Sequence, residues 1–180
     1  MNIIDAIDDD QLFAPWFRDP RTWAAWRAFL KALFALPMTK ADRAIYATCT
    51  GRTDNGPRLP AAEAWLICGR RGGKTFTMAL VAVFLATIRD YRPYLQPGER
   101  ATIPLLAADR KQARALRNYI GGLLANVPML NRMVERELAE SFELTNRVTI
   151  EISTNSYRTV RGFTVPVAMT GTLFADCESW

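Results

Sequence analysis

The chain has 180 residues, 49% of them hydrophobic, and a formal net charge of +5. Such a length and apolar fraction exclude a disordered chain and suit one globular domain with its own core. There is no histidine, which excludes histidine metal ligands, histidine general bases and Ser-His-Asp triads within these residues.

The basic side is almost entirely arginine, 19 Arg against 4 Lys. The planar guanidinium pairs bidentately with phosphate, so this bias suits a phosphate or nucleic-acid partner. Genome base composition accounts for an arginine excess equally well. The three cysteines, Cys49, Cys68 and Cys177, form no CxxC pair, which fits a reducing cytoplasm better than a disulfide scaffold. The longest apolar run, Thr75 to Ile88, is too short to span a bilayer. The acidic start (Asp8, Asp9, Asp10) is unlike a secretory signal. A soluble, cytoplasmic protein is expected.

In chain order, residues 21–36 place Trp23, Trp26, Phe29, Leu30 and Leu33 on one helical face, with Arg27 and Lys31 facing out. Pro20 and Pro37 bracket this helix. A second short helix is expected over Lys40 to Thr48, and "TGRTDNGPRLP" is a loop by its Gly, Pro, Asn and Asp content. The run "AWLIC", residues 64–68, then reads as a buried strand. A Gly-rich loop follows, and a long helix from about Gly73 to Arg89. "TIPLLAA", 102–108, reads as a second buried strand despite Pro104. Asp109 is a good N-cap for the helix "RKQARALRNYIGGLLANV". Beyond a turn at Pro128 come "ELAESFEL" and "RVTIEIST". In the latter Val148, Ile150 and Ile152 alternate with Thr149, Glu151 and Ser153, the pattern of a half-buried strand, and "TNR" before it suggests a hairpin. The loop "NSYRTVRG" and an apolar strand "FTVPVAM" complete the pattern. This order implies an α/β fold with a parallel sheet flanked by helices. An N-terminal helical segment and loop over 1–60 precedes an α/β domain over 61–180.

The loop "CGRRGGKT" carries chemistry. A phosphate-binding loop is usually Gly, four residues, then Gly-Lys-Ser/Thr. Counting back from Gly73, the first Gly should fall at 68, which is Cys; Gly69 stands one place late. In the functional reading, backbone amides at the start of the following helix face the β-phosphate. Gly69, Gly72 and Gly73 let the chain bend and approach closely. Lys74 reaches the β- and γ-phosphates, and the Thr75 hydroxyl binds Mg²⁺. The bland alternative is a Gly-rich turn between a strand and a helix, which has no need of Lys-Thr at that offset.

A loop of this kind, "GRRGGKT" without the leading Gly, resembles the large terminase subunit of tailed bacteriophages, the ATP-driven motor that packages DNA. "EAWLICGRRGGKTFTMALVAVFLATIRDY", "LLAADRKQARALRNYIGGLL" and "SYRTVRGFTV" are similar to successive blocks of that ATPase, a likeness running from about Glu63 to Val167. The resemblance implies a P-loop NTPase-type sheet, an incomplete one here, with ATP and Mg²⁺ as cofactors. It also implies double-stranded DNA, the terminase small subunit and the phage portal as partners, a homo-oligomer as an option and no membrane. It further implies that Arg70 or Arg71 acts in cis on the γ-phosphate; a solvated pair of charges is the alternative for both. "AADRKQAR" takes the place of a motif that couples to nucleic acid in related translocases, so Arg110, Lys111 and Gln112 are candidates there, against a plain capped helix with surface charges. Arg158 and Arg161 in "YRTVRG" are further candidates for DNA or phosphate, against plain surface charge.

By the same resemblance an Asp that supports Mg²⁺ and a Glu that activates water should follow the Arg-Gly block by about eight residues. That lands on Gly171-Thr172, neither of which can serve as a base. The nearest acids are Asp176, a candidate for Mg²⁺, and Glu178, a candidate base, with Cys177 between them. The segment after Trp180 that the motor family carries, including its nuclease domain, is absent from the sequence. An ATP-binding fragment with weak or no hydrolysis is therefore expected. The alternatives are another P-loop NTPase, helicase-like, that does use Asp176 and Glu178, or a non-catalytic remnant that binds DNA or a partner.

Overall fold

The computed structural model describes residues 1–69, 72–154 and 164–171. They fall into two compact units, 1–68 and 69–180.

The first unit is helical. It consists of α1 (Ile3–Asp8), a 3-10 turn at Ala14–Trp16, α2 (Ala24–Leu33) and α3 (Lys40–Thr50). Both α1 and α3 start on capping boxes, Asn2 with Asp5 and Thr39 with Asp42, so the first-turn amides are satisfied by local side chains. Ile3, Ala6, Ile7, Leu12, Phe13, Ala28, Leu30 and Tyr46 form its core. The outward placement expected for Arg27 and Lys31 is corrected. Arg27 makes a two-pronged pair with Asp8 at 2.7 Å. Lys31 reaches Asp42 at 2.6 Å, with its side chain only 14% exposed. Acidic partners on α1 and α3 draw both long side chains along the unit's surface instead of into solvent.

The second unit is α/β. It contains α4 (Lys74–Ile88), β1 (Ala101–Ala107), α5 (Arg110–Asn126), the short α6 (Pro128–Asn131), β2 (Val134–Glu137), β3 (Ser141–Leu144), β4 (Val148–Thr154) and β5 (Met169–Gly171). The strand order is β2-β3-β4-β1-β5. β1 runs parallel to β4 and β5, while β2-β3-β4 is an antiparallel meander. The sheet is therefore mixed, a correction to the parallel-sheet expectation, while the hairpin suggested by "TNR" is present as β3–β4. The reason is local: "ELTNRV" closes a tight turn, with the Arg147 amide donating to the Leu144 carbonyl and Arg147 at φ 67°. Strands joined so closely must run antiparallel.

The helix-covered face of the sheet carries Ala101, Ile103, Leu105 and Ala107 from β1, Val148, Ile150 and Ile152 from β4, and Phe142 and Leu144 from β3, all buried. α4 is apolar nearly all round, and α5 buries Leu116, Ile120, Leu123 and Leu124. Gly121 on α5 faces the Phe142 ring, which a Cβ at that position would meet at 3.5 Å, an ordinary van der Waals contact. Pro104 is tolerated inside β1 for a geometric reason. The Ala101 amide donates toward β4 and the Thr102 amide toward Thr164, so alternation aims the position-104 nitrogen away from β4. Pairing to β5 begins only at Leu105, so no ladder bond is lost.

"AWLIC" departs most from expectation. Residues 64–68 form no strand, and Trp65 and Ile67 are 87% and 92% exposed. The sheet is ordered from β1 outward without them. Short apolar runs of this kind carry no periodicity to fix their state, and burial decides it.

Candidate phosphate-binding site

The candidate loop enters α4 through Gly73. This residue is the N-cap of α4 and adopts φ 83°, ψ 3°, the left-handed conformation. A side chain there would be strained, so the second Gly of "GGKT" is required by the backbone itself. Gly69 and Gly72 close a turn, the Gly72 amide donating to the Gly69 carbonyl at 3.3 Å. Arg70 and Arg71, between them, lie outside the described residues.

No side chain caps α4. Its first amide bond runs from Thr77 to the Gly73 carbonyl at 3.0 Å. The amides of Lys74 and Thr75 thus belong to the first turn, whose donors a helix leaves without intrahelical acceptors. Of the four helices of eight or more residues among the described residues, α3 and α5 satisfy this turn with Thr39 and Asp109, whereas α2, which starts on Trp23, and α4 have no side-chain cap. Lys74 and Thr75 are half-buried at this start, and Lys74 makes no ion pair among the described residues. The arrangement offers oriented donors, a positive helix end and an ammonium group at one place, which is the chemistry of an anion site.

The candidates on α5 separate. Arg110 and Lys111 are exposed in its first turn. Gln112 has its side-chain oxygen engaged locally. Its side-chain oxygen accepts from the Ala108 amide at 2.9 Å, and its own amide donates to Asp109 at 2.8 Å. The pair Asp109–Gln112 closes the start of α5, which is the plain capped-helix alternative for that residue. Arg114, not singled out by the sequence, joins Arg110 one turn on and is also exposed; the i, i+4 spacing was its signal.

β5 ends at Gly171, opposite Ala107, and no carboxylate stands on it. Thr172, Asp176 and Glu178 lie outside the described residues, as do Arg158 and Arg161. The carboxylate placed at this end of β1 is Asp109, two residues past Ala107, and it is engaged as the cap of α5. Among the described residues no three His, Cys, Asp or Glu side chains converge to hold a metal ion. Thr75, the candidate for Mg²⁺, lies in the first turn of α4 and is half-buried; no hydrolytic step is derived.

The arginine excess is partly structural. Arg100 donates to Thr149, Glu135 and the Leu144 carbonyl. Arg147 donates to the carbonyls of Gln96 and Glu99, and Arg117 lies 5.3 Å over the Phe142 ring while pairing with Glu137. These guanidiniums tie loops and α5 to the sheet. No helix is long and apolar enough to cross a membrane among the described residues. No family model matches the chain, and comparison with curated proteins and with solved structures finds no match.

Proposed function

We propose that residues 69–75 and the start of α4 bind the phosphates of a nucleotide, ATP or ADP with Mg²⁺. On this reading the chain is the ATP-binding part of a DNA-packaging motor ATPase of the terminase large-subunit kind. The observation that carries it is Gly73, left-handed at the uncapped start of α4, immediately before Lys74 and Thr75. Ser, Thr, Asn and Asp lead at plain helix starts, with Gly only modestly enriched there. Arg70 or Arg71 would add charge to the γ-phosphate, with double-stranded DNA, a small subunit and a portal as partners by resemblance. Hydrolysis is weak or absent on this reading, because the sequence has Gly171-Thr172 where the resemblance calls for the acidic pair.

Calorimetric titration of the full chain with Mg-ADP tests the site. Binding is expected for the natural sequence and its loss for Lys74→Ala. No binding, or equal binding by the variant, sinks the reading. Brisk ATP turnover abolished by Glu178→Gln would instead favour a P-loop NTPase that uses Asp176 and Glu178.

One observation favours a second reading, a non-catalytic nucleic-acid binder. Arg110, Lys111 and Arg114 are exposed together and make no ion pair among the described residues. DNA binding that weakens steeply with salt and ignores nucleotide would support it.

A further inference from the structure

Phe76 directly follows the Lys74-Thr75 pair, and its ring meets that of Tyr119 on α5. The centroids are 5.5 Å apart and the planes 78° to each other, an edge-to-face pair. Tyr119 is 45% exposed, unusual for a large aromatic on a helix that packs closely against its neighbour. Its surroundings on α5 explain this. The residues one turn away along the helix surface are Ala115, Leu116, Gly122 and Leu123, of which the two leucines are buried in the core. Gly122 has open space where a side chain would stand, with nothing within 4 Å. Small residues on both sides leave the ring uncovered, while Phe76 fixes it at the loop end of α4.

We propose that Tyr119, buttressed by Phe76, is the stacking surface for the base of the nucleotide whose phosphates residues 69–75 hold. The inference rests on the nucleotide-binding reading above. A phosphate chain anchored on the first turn of α4 leaves the ribose and base to extend away from the anchor, and this aromatic pair is the flat surface next to it. Stacking offers area without reading hydrogen-bonding edges. The site then ranks bases by ring size: ADP and GDP bind alike, and CDP and UDP more weakly.

The test is calorimetry on the full chain with Mg-ADP and Mg-tripolyphosphate, the latter having phosphates but no base. The natural sequence should bind both, ADP more tightly. Tyr119→Ala should weaken ADP about tenfold or more, the scale of one base–aromatic stack, and leave tripolyphosphate unchanged. Tyr119→Phe should keep ADP binding. Unaltered ADP affinity in Tyr119→Ala, or an equal loss for both ligands, overturns the stacking surface and leaves the phosphate loop standing. Tripolyphosphate binding as tightly as ADP does the same. Failure of the natural sequence to bind either ligand overturns the phosphate loop and this inference with it. Unchanged far-ultraviolet circular dichroism in both Tyr119 variants, with only a small fall in melting temperature for Tyr119→Ala from the lost edge-to-face pair, assigns the loss of ADP affinity to the ring itself.

Discussion

The side-chain amide of Asn146 donates to the carbonyl of Ala86 at 2.8 Å, across 60 residues of sequence. It ties the β3–β4 turn to the last turn of α4, whose final carbonyls have no partners within the helix. Asn146→Ala should therefore destabilise the second unit by about 1 kcal/mol, the net worth of one part-buried hydrogen bond. Urea unfolding followed by far-ultraviolet circular dichroism measures it. Amide exchange should quicken first at residues 84–88. An unchanged midpoint would mean that solvent replaces the bond without loss.

Asp42 gathers three hydrogen bonds on one oxygen, from Lys31, the Thr39 amide and the Thr39 hydroxyl. Burial opposes its ionisation, but the bonds from Lys31 and Thr39 outweigh it and hold the carboxyl below its usual 3.8. A depressed folded-state pKa stabilises above the unfolded value and loses that stabilisation as pH falls through the folded one. The first unit should thus weaken as pH drops below about 3.8. Asp42→Asn should flatten this part of the profile and cost about 1 kcal/mol at neutral pH, as for a lost helix cap. Trp23 and Trp26 on or beside α2 make tryptophan fluorescence the probe. A profile equally steep in the variant would assign the acid sensitivity to other carboxylates.

Glu151 gives the opposite sign. It lies on the face of β4 away from Ile150 and Ile152, between Pro104 and Ser141 in the ladder. Burial first, and the nearby Glu140 charge second, raise its pKa above 4.5. Below 4.5 both states are protonated and nothing is lost. As pH rises from 4.5 through the folded value the unfolded chain ionises first, and stability falls. Glu151→Gln should therefore raise the melting temperature at pH 7 and leave it unchanged near pH 4. Equal effects at both pH values would show that the side chain acts through packing rather than charge.

What could be read from the sequence follows from how local each signal is. The Asp109 cap, α4, α5 and the alternation in β4 were legible because capping and periodicity are written within one element. The β3–β4 hairpin was legible from "TNR", although Arg147 is an unexpected type for its φ of 67°, whereas the antiparallel pairing of β2 with β3 was not. The fate of Trp65, Leu66 and Ile67 was not legible, since an apolar run states that it can be buried but not that anything buries it. Arg27 and Lys31 misled for a similar reason: their partners, Asp8 and Asp42, lie on other helices. At the candidate site, the loop glycines and Lys74-Thr75 were visible as spacing. Tyr119 was not, because only the packing of α5 on α4 brings it beside Phe76.

Two glycines show how the same substitution changes sign with backbone geometry. Gly122 lies inside α5 with helical backbone and open space around it. Alanine there removes conformational freedom from the unfolded chain at no steric cost, so Gly122→Ala should stabilise by about 0.4–1 kcal/mol. Gly73 has φ 83°, where a Cβ collides with the backbone; Gly73→Ala should destabilise by roughly 1–2 kcal/mol. The loop can avoid that strain only by abandoning the turn that aims the Lys74 and Thr75 amides outward. Gly73→Ala should thus weaken Mg-ADP binding beyond its effect on stability, whereas Gly122→Ala should not weaken the binding of Mg-tripolyphosphate. Paired melting and titration of both variants decide it. Full phosphate affinity in a strained but folded Gly73→Ala would show that the left-handed turn is architecture and not part of a binding site.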